Sequence, residues 1–194
     1  MANKRYTFNE NKITAQVIDQ TNNEIWLAFE QDDSGNCAFQ KASIFDPNQT
    51  YYDIDIAVAE IKKIIIEDSY LYLAYNDSSL IGSKYSKTNP LTTSTDFSIP
   101  SGITEAPVDL KYYNNYIWYL IPGNLSGTNA KIVKLSTSGT FIETIDLATI
   151  TNAKSFALDS LTDDFWVVTY TSPANLVRVH YEVSGWEYTT TILG

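Results

Sequence analysis

The sequence predicts an all-β fold, a β-propeller of four repeats of about 46 to 48 residues, each forming a four-stranded antiparallel blade. The first observation is a short apolar strand motif that occurs four times, at residues 25–29, 71–75, 117–121 and 165–169. The aromatics at its second position are spaced by 46, 46 and 48 residues: Trp26, Tyr72, Trp118 and Trp166. A repeat of this length with β-branched and aromatic content is typical of propeller blades.

The second observation is that both faces of this motif are apolar. Alternate residues of a strand point to opposite faces, so the first, third and fifth residues of 25–29 share one face and the other two share the second. A sheet with one solvated side alternates apolar and polar residues, which argues against a two-sheet sandwich. Because radially packed blades are covered on both sides, we expect Trp26, Trp118 and Trp166 to be buried between blades.

Turn-forming residues divide each repeat into four short extended segments. We expect strands at 15–19, 24–29, 38–45 and 51–56, at 61–66, 71–75, 81–86 and 95–99, at 107–111, 116–121, 130–135 and 141–147, and at 154–159, 164–170, 176–181 and 186–193. The repeats then cover about 10–56, 57–99, 100–147 and 148–194, within one domain of residues 1–194. No segment has helical periodicity over a useful length.

Residues 4–8 also have the pattern of an outer strand, so the sequence predicts five outer strands but only four sets of the inner three. Because an unpaired strand edge is normally covered, two arrangements stay open. In the first, the chain is part of a longer propeller or a homo-oligomer, such as two copies forming eight blades. In the second, it closes into a four-bladed ring with residues 4–8 outside the fourth blade.

The segments 130–147 and 175–193 resemble the repeats of the NHL and YncE-like propeller families, in which a strand ending near a basic residue turns through a glycine into the next strand. The resemblance covers the whole chain as an architecture and implies a propeller. The sequence has no aspartate box, no Gly-His and Trp-Asp pair of the WD40 type, and no double glycine of the kelch type.

Composition and charge limit the partners. The chain has 194 residues, a formal net charge of −10 and a pI near 4.4. A negative surface repels phosphate backbones and anionic lipids, so we expect neither nucleic acid nor a membrane as a partner. No apolar run is long enough for a membrane span, and the start lacks the apolar core of a secretory signal, so we expect a cytoplasmic or virion location. Cys37 is the one cysteine, which excludes an intrachain disulfide.

No catalytic set stands out in the sequence. His180 is the one histidine, and no serine nucleophile elbow is present to complete a triad. One histidine and one cysteine do not make a closed zinc site, and there is no glycine-rich phosphate loop. The sequence therefore predicts no catalytic residue, no metal site and no cofactor. Asp19 and Asp159 end first strands near a propeller axis and are the carboxylates on which a hydrolase would depend.

The candidate binding residues form three groups: Asp32, Asp33 and Asn36 in an oxygen-rich loop, the pair Tyr112 and Tyr113, and Trp186 after a glycine turn. The loop offers oxygen ligands to a calcium ion, but its spacing is not that of an EF-hand, and its residues are ordinary turn formers. Aromatic rings stack on sugars and anchor protein interfaces, although they also favour strands.

A basic residue recurs on the third strand of every repeat: Lys41, Lys84, Lys134 and Arg178. Either these cations form a ring that binds an anionic ligand, or each covers apolar surface with its stem and extends its charge into water. Because third strands lie towards the outer side of a blade, the second interpretation is favoured.

These observations favour a non-catalytic binding or assembly module, a propeller platform that contacts protein or glycan. The composition is rich in Asn, Ile, Lys and Tyr with few Arg, which is typical of an AT-rich genome and suggests a phage virion or tail component. The alternative is a propeller hydrolase of the lactonase or glycosidase type with axial carboxylates.

Overall fold

The computed structural model describes residues 12–32, 35–45, 50–91, 94–124, 126–171, 173–182 and 185–193, with the backbone alone at 50–53 and 193. These residues form four antiparallel four-stranded sheets, each with its strands in chain order, and no helix. The predicted all-β fold of four-stranded blades is confirmed. The predicted extra strand at residues 4–8 and the candidate ligand Asp33 lie outside the described residues.

The strand bounds follow the four repeats. The first blade contains β1 (Ile13–Asp19), β2 (Glu24–Phe29), β3 (Cys37–Ser43) and β4 (Thr50–Ile56). The second contains β5 (Glu60–Glu67), β6 (Tyr70–Asn76), β7 (Leu80–Ser86) and β8 (Ser94–Ser98). The third contains β9 (Asp109–Tyr113), β10 (Tyr116–Ile121), β11 (Ala130–Ser136) and β12 (Phe141–Leu147). The fourth contains β13 (Ala153–Asp159), β14 (Asp164–Thr169), β15 (Ala174–Glu182) and β16 (Gly185–Leu193).

One predicted strand, at 107–111, is displaced by two residues at both ends, because β9 covers Asp109–Tyr113. Tyr113 pairs with Tyr116, which leaves a two-residue turn of Asn114 and Asn115. Both asparagines have positive φ angles, 51° and 62°, as a type I′ hairpin turn requires. The strand therefore continues up to this turn rather than ending two residues before it.

First strands form the inner edge of the arrangement. β1, β5, β9 and β13 lie against one another from blade to blade, whereas β4, β8, β12 and β16 end the sheets on the other side. This is the radial arrangement of propeller blades. Antiparallel neighbours reverse direction, so the turns after first and third strands lie at one end of each blade, called here the hairpin end. The turns after second strands lie at the opposite end.

Three clusters of buried side chains join consecutive blades. Each contains the second-strand aromatic of one blade and an apolar second-strand residue of the next: Trp26 with Leu73, Tyr72 with Tyr119, and Trp118 with Phe165. We call the face with this aromatic the forward face of a blade, and the other its rear face. Trp26 is 0% and Trp118 is 4% exposed, so the prediction that they are buried between blades is confirmed.

The same prediction is wrong for Trp166, which is half-buried. It lies on the forward face of the fourth blade beside Val168, which is 39% exposed, while Phe165 and Val167 pack towards the third blade. None of the three clusters joins the fourth blade to the first. Trp166 therefore differs from its counterparts because no next blade among the described residues packs over it.

The interface between the second and third blades is held by a close approach of two strands. The buried Tyr119 hydroxyl donates a hydrogen bond of 3.1 Å to the Leu73 carbonyl oxygen. Gly82 lies beside this bond, and a Cβ there would collide with both the carbonyl and the hydroxyl. A glycine is required because the two blades leave no space for a side chain. The candidate site described below lies between the same two blades.

Candidate functional site

The sequence-predicted binding residues do not come together. Asp32 and Asn36 lie in the turn between β2 and β3, at the end opposite the hairpins. Tyr112 and Tyr113 end β9 at the hairpin end of the third blade, and Trp186 begins the outer strand of the fourth. The three groups are therefore separate parts of the surface.

The loop that contains Asp32 and Asn36 is stabilised by hydrogen bonds between its own residues. The Asn36 amide donates to the Asp32 carboxylate at 3.1 Å, and the Asp32 amide donates to the Asn36 carbonyl at 2.9 Å. The Gly35 amide donates to the Asp32 carbonyl at 2.9 Å. These contacts are those of an Asx-type turn, in which the carboxylate stabilises the loop backbone.

Trp186 is engaged in packing within the protein. Its ring lies 5.6 Å from that of Phe165 and 5.2 Å from that of Tyr181, measured between centroids. Its indole nitrogen donates to Glu143 of the third blade at 3.3 Å. The side chain therefore links the third and fourth blades.

The two tyrosines of β9 have different surroundings. The Tyr113 hydroxyl donates to the Asp163 carboxylate of the fourth blade. The Tyr112 hydroxyl donates to Asn115 at 2.9 Å, and its ring lies 5.9 Å from that of Tyr72 in the second blade. Tyr112 is thus the predicted residue that reaches the interface between the second and third blades.

Tyr112, Tyr72 and Tyr70 form a row of aromatic rings at this interface, and the ammonium group of Lys84 lies next to two of them. The Lys84 ammonium lies 5.7 Å from the ring centroid of Tyr72 and 3.7 Å from that of Tyr70. Beside it is a cavity of about 250 Å³ at the hairpin end, which we call the Lys84 cleft and which is lined by Tyr70, Lys84, Ser86, Thr95, Thr137 and Ser138. Its walls come from both blades. Aromatic rings and a cation at a cleft are features of a ligand site.

Burial sets the protonation of this row. It raises the pKa of Tyr72 to about 12. Burial, followed by the charges of Glu67 and Asp68, also raises the pKa of Tyr112. Both side chains are therefore neutral phenols at physiological pH. Burial lowers the pKa of Lys84, because water is removed from its ammonium group.

The other third-strand cations are paired within their own blades. The Lys41 ammonium lies 2.6 Å from the Glu24 carboxylate, and that of Lys134 lies 3.1 Å from Glu143. The Arg178 guanidinium lies 2.6 Å from Asp164. These contacts leave no ring of free cations. Lys84 was expected to be an ordinary member of this set, yet it has no ion pair within the described part of the chain.

The two carboxylates predicted for a hydrolase are both held by contacts within the protein, Asp19 with the second blade and Asp159 within its own turn. Asp19 lies 2.8 Å from the Lys87 ammonium and accepts from the Asn22 amide at 2.9 Å. Burial raises the pKa of Asp19, but these bonds outweigh it and hold the pKa below its ordinary value. Asp159 accepts from the Leu161 amide at 2.9 Å and so stabilises its own turn.

A second buried axial carboxylate, which the sequence motifs did not indicate, is Asp109 at the start of β9. It accepts from the Ser155 hydroxyl at 2.8 Å and the Phe156 amide at 3.1 Å, both in the fourth blade. The ammonium groups of Lys111 and Lys63 lie 3.3 and 3.5 Å from it. Asp109 thus connects the second, third and fourth blades.

The described residues contain no group of three or more His, Cys, Asp and Glu side chains arranged to hold a metal ion. Within the same residues, no helix is long and apolar enough to cross a membrane.

Comparison with solved structures finds propeller-type proteins. Hydrazine synthase of Kuenenia stuttgartiensis matches 94% of this chain and 54% of its own, with 11% identity and a TM-score of 0.71. A chain of a nidogen/laminin complex matches 92% of this chain and 72% of its own, with 11% identity and a TM-score of 0.62. A luciferin-regenerating enzyme matches 100% of this chain and 65% of its own, with 13% identity and a TM-score of 0.62.

These similarities define the class of the protein as a propeller-type all-β protein with four-stranded blades. The chain spans about half of the hydrazine synthase chain that it matches. No protein-family model matches the sequence, and no curated protein matches it significantly. At 11–13% identity, the structural likeness concerns the fold alone.

Proposed function

We propose that this chain is a non-catalytic binding or assembly module, a propeller platform that contacts protein or glycan. The observation that carries the proposal is the Lys84 cleft, where a cation without a carboxylate partner in the described residues adjoins the row of Tyr70, Tyr72 and Tyr112. Tyrosine rings supply rigid contact area and a hydroxyl, which suits both sugar and protein surfaces. A neighbour of similar fold occurs in a nidogen/laminin complex, which supports a contact role.

The alternative is a hydrolase of the lactonase or glycosidase type with axial carboxylates. A similar fold occurs in a luciferin-regenerating enzyme, so the architecture is compatible with catalysis. General acid–base catalysis needs a carboxyl group that is within reach of substrate. Asp19 is buried, at 4% exposure, and is held by Lys87 and Asn22, while Asp159 accepts the Leu161 amide of its own turn, which favours a binding role.

The proposed context is a larger assembly, either a longer chain or a homo-oligomer, in a phage virion or tail. The AT-rich type of composition supports this setting, as does the incompletely covered forward face around Trp166. The net charge of −10 makes nucleic acid and anionic membranes poor partners.

The test combines a glycan array and a protein pull-down with a panel of esterase and glycosidase substrates. We expect a specific ligand, no turnover, and binding that is weakened about tenfold or more by Tyr70→Ala, since Tyr70 lines the cleft and one interface aromatic can contribute ~2 kcal/mol. Tyr170→Ala is the matched control, because Tyr170 is 74% exposed and lies at the opposite end of the fourth blade. Hydrolysis that disappears in Asp19→Asn or Asp159→Asn would instead establish the enzyme alternative.

A further inference from the structure

In the first, third and fourth blades, the basic residue of the third strand forms an ion pair with a carboxylate of its own blade, whereas Lys84 of the second blade does not do so among the described residues. The carboxylate that pairs with the third-strand cation comes from one of two positions. It lies at the start of the second strand, as with Glu24 and Asp164, or on the fourth strand opposite the cation, as with Glu143. In the second blade, these two positions are occupied by Tyr70 and Thr95. The sequence change therefore removes both sources of a carboxylate from Lys84.

The loss of the partner has an electrostatic consequence. A partly buried ammonium group is costly unless it is paired, and the Tyr70 and Tyr72 rings compensate for only part of that cost. Glu67 and Asp68 lie at the same hairpin end, on the inner edge, and neither forms an ion pair with Lys84. A carboxylate brought by a ligand would occupy the place that an internal carboxylate fills in the other three blades.

The cavity beside Lys84 has the size and lining for a single sugar residue. Its volume of about 250 Å³ lies just below the range of ordinary ligand pockets, roughly 300–1,000 Å³, which limits the ligand to a small group. Four serine and threonine side chains line it together with Tyr70 and Lys84, and no acidic residue is among the described lining residues. Thr95 and Thr137 are among these residues, and a threonine hydroxyl can both donate a hydrogen bond to a sugar and accept one from it. Tyr70 is 37% exposed and adds apolar ring surface.

We propose that the Lys84 cleft binds the carboxylate of a single uronic acid residue of a glycan, a singly charged group that the net charge of −10 repels far less than it repels a polyanion. The carboxylate pairs with the Lys84 ammonium, and the sugar hydroxyls bond to the Ser and Thr hydroxyls around it. An acidic side chain of a partner protein carries the same group, but a small, hydroxyl-lined cavity suits a sugar ring better. This inference rests on the proposed binding function and specifies its ligand.

The first experiment is calorimetric titration of the full chain with glucuronate and with glucose, which differ in the group at C6. We expect binding of glucuronate and none of glucose at the same concentrations. Acetate and a short glutamate-containing peptide are the competitors that test the source of the carboxylate. If acetate or the peptide displaces bound glucuronate as effectively as added glucuronate does, the assignment of the ligand to a sugar is wrong.

Three variants then test the site itself. Lys84→Gln removes the charge and is expected to weaken glucuronate binding about tenfold or more, as for loss of a charge-assisted hydrogen bond. Thr95→Glu places a carboxylate where the third blade has Glu143 and is expected to abolish binding while Lys84 remains. Lys134→Gln, at the equivalent position of the third blade, should leave binding unchanged. Thermal melts show whether each variant is folded.

The outcomes separate this inference from the proposed function. If the intact protein does not bind glucuronate, or if Lys84→Gln binds it as well as the original chain does, the inference is wrong. The proposed function survives that result when the array or pull-down still finds a specific ligand without turnover. It fails only when those screens find no ligand or when they find hydrolysis.

Discussion

Replacing Trp26 with alanine is expected to lower the free energy of unfolding by about 3–5 kcal/mol, the usual cost of truncating a fully buried Trp. The ring is 0% exposed and lies in the cluster that joins the first and second blades, 5.8 Å from the ring of Phe39. Its removal leaves a cavity at an interface made of rigid sheets, which close such cavities poorly. Urea unfolding followed by far-ultraviolet circular dichroism measures the loss.

Trp166→Ala is the matched control, since Trp166 has the same repeat position in the fourth blade but is only half-buried. We expect a loss of ~1–2 kcal/mol, in proportion to the smaller apolar area removed from water. Equal losses for the two variants would contradict the packing described here, because they would mean that the fourth blade is covered as completely as the first.

Asp109→Ala is expected to cost about 3–5 kcal/mol, as for removal of one partner from a buried charged network. The Ser155 hydroxyl, the Phe156 amide and the Lys111 ammonium would all lose the acceptor that connects three blades. Asp96→Asn is the control on an exposed fourth strand and should change stability by less than about 0.5 kcal/mol. Urea unfolding at neutral pH gives both values.

The same carboxylate should make stability depend on pH. Burial raises the pKa of Asp109, but hydrogen bonds from Phe156 and Ser155 and the charge of Lys111 outweigh it, so the pKa lies below its ordinary value of 3.8. A pKa lowered by folding contributes stability that is present above 3.8 and is lost as the pH falls through the folded-state value. The difference between the original chain and Asp109→Asn should therefore shrink below pH 3.8. A constant difference would exclude this role.

The repeated strand motif explains why much of the fold was predictable. Strand 24–29 and its counterparts are apolar on both faces, which leaves few alternatives to blades packed on each other. Turn chemistry located the connections, as Asn114 and Asn115 show with their positive φ angles. Trp166 has the same local sequence pattern as Trp26, so its greater exposure was not predictable, since it depends on what packs over the blade.

Of the residues predicted to bind a ligand, Tyr112 alone lies in the aromatic row next to Lys84, and its role in binding stays a prediction. Lys84 looks like its three counterparts when the third strands are compared alone. Its difference becomes visible when the register places Thr95 opposite it and Tyr70 at the start of the adjacent strand. Asp109 was missed for a related reason, because its partners Ser155 and Phe156 come from the next blade, 46 and 47 residues away. Contacts between repeats cannot be recognised from the sequence of one repeat and become visible only in the structure.

The most direct test of the central claim, that this propeller binds ligands at the Lys84 cleft rather than reacting with them at its axis, is a two-dimensional ¹H–¹⁵N NMR titration with glucuronate. The account predicts that the amide signals that shift belong to Tyr70, Lys84, Ser86 and Thr137, with the sugar recovered unchanged. Shifts centred on Asp19, Asp109 and Asp159 at the first strands, or chemical conversion of the glucuronate during the titration, would contradict it.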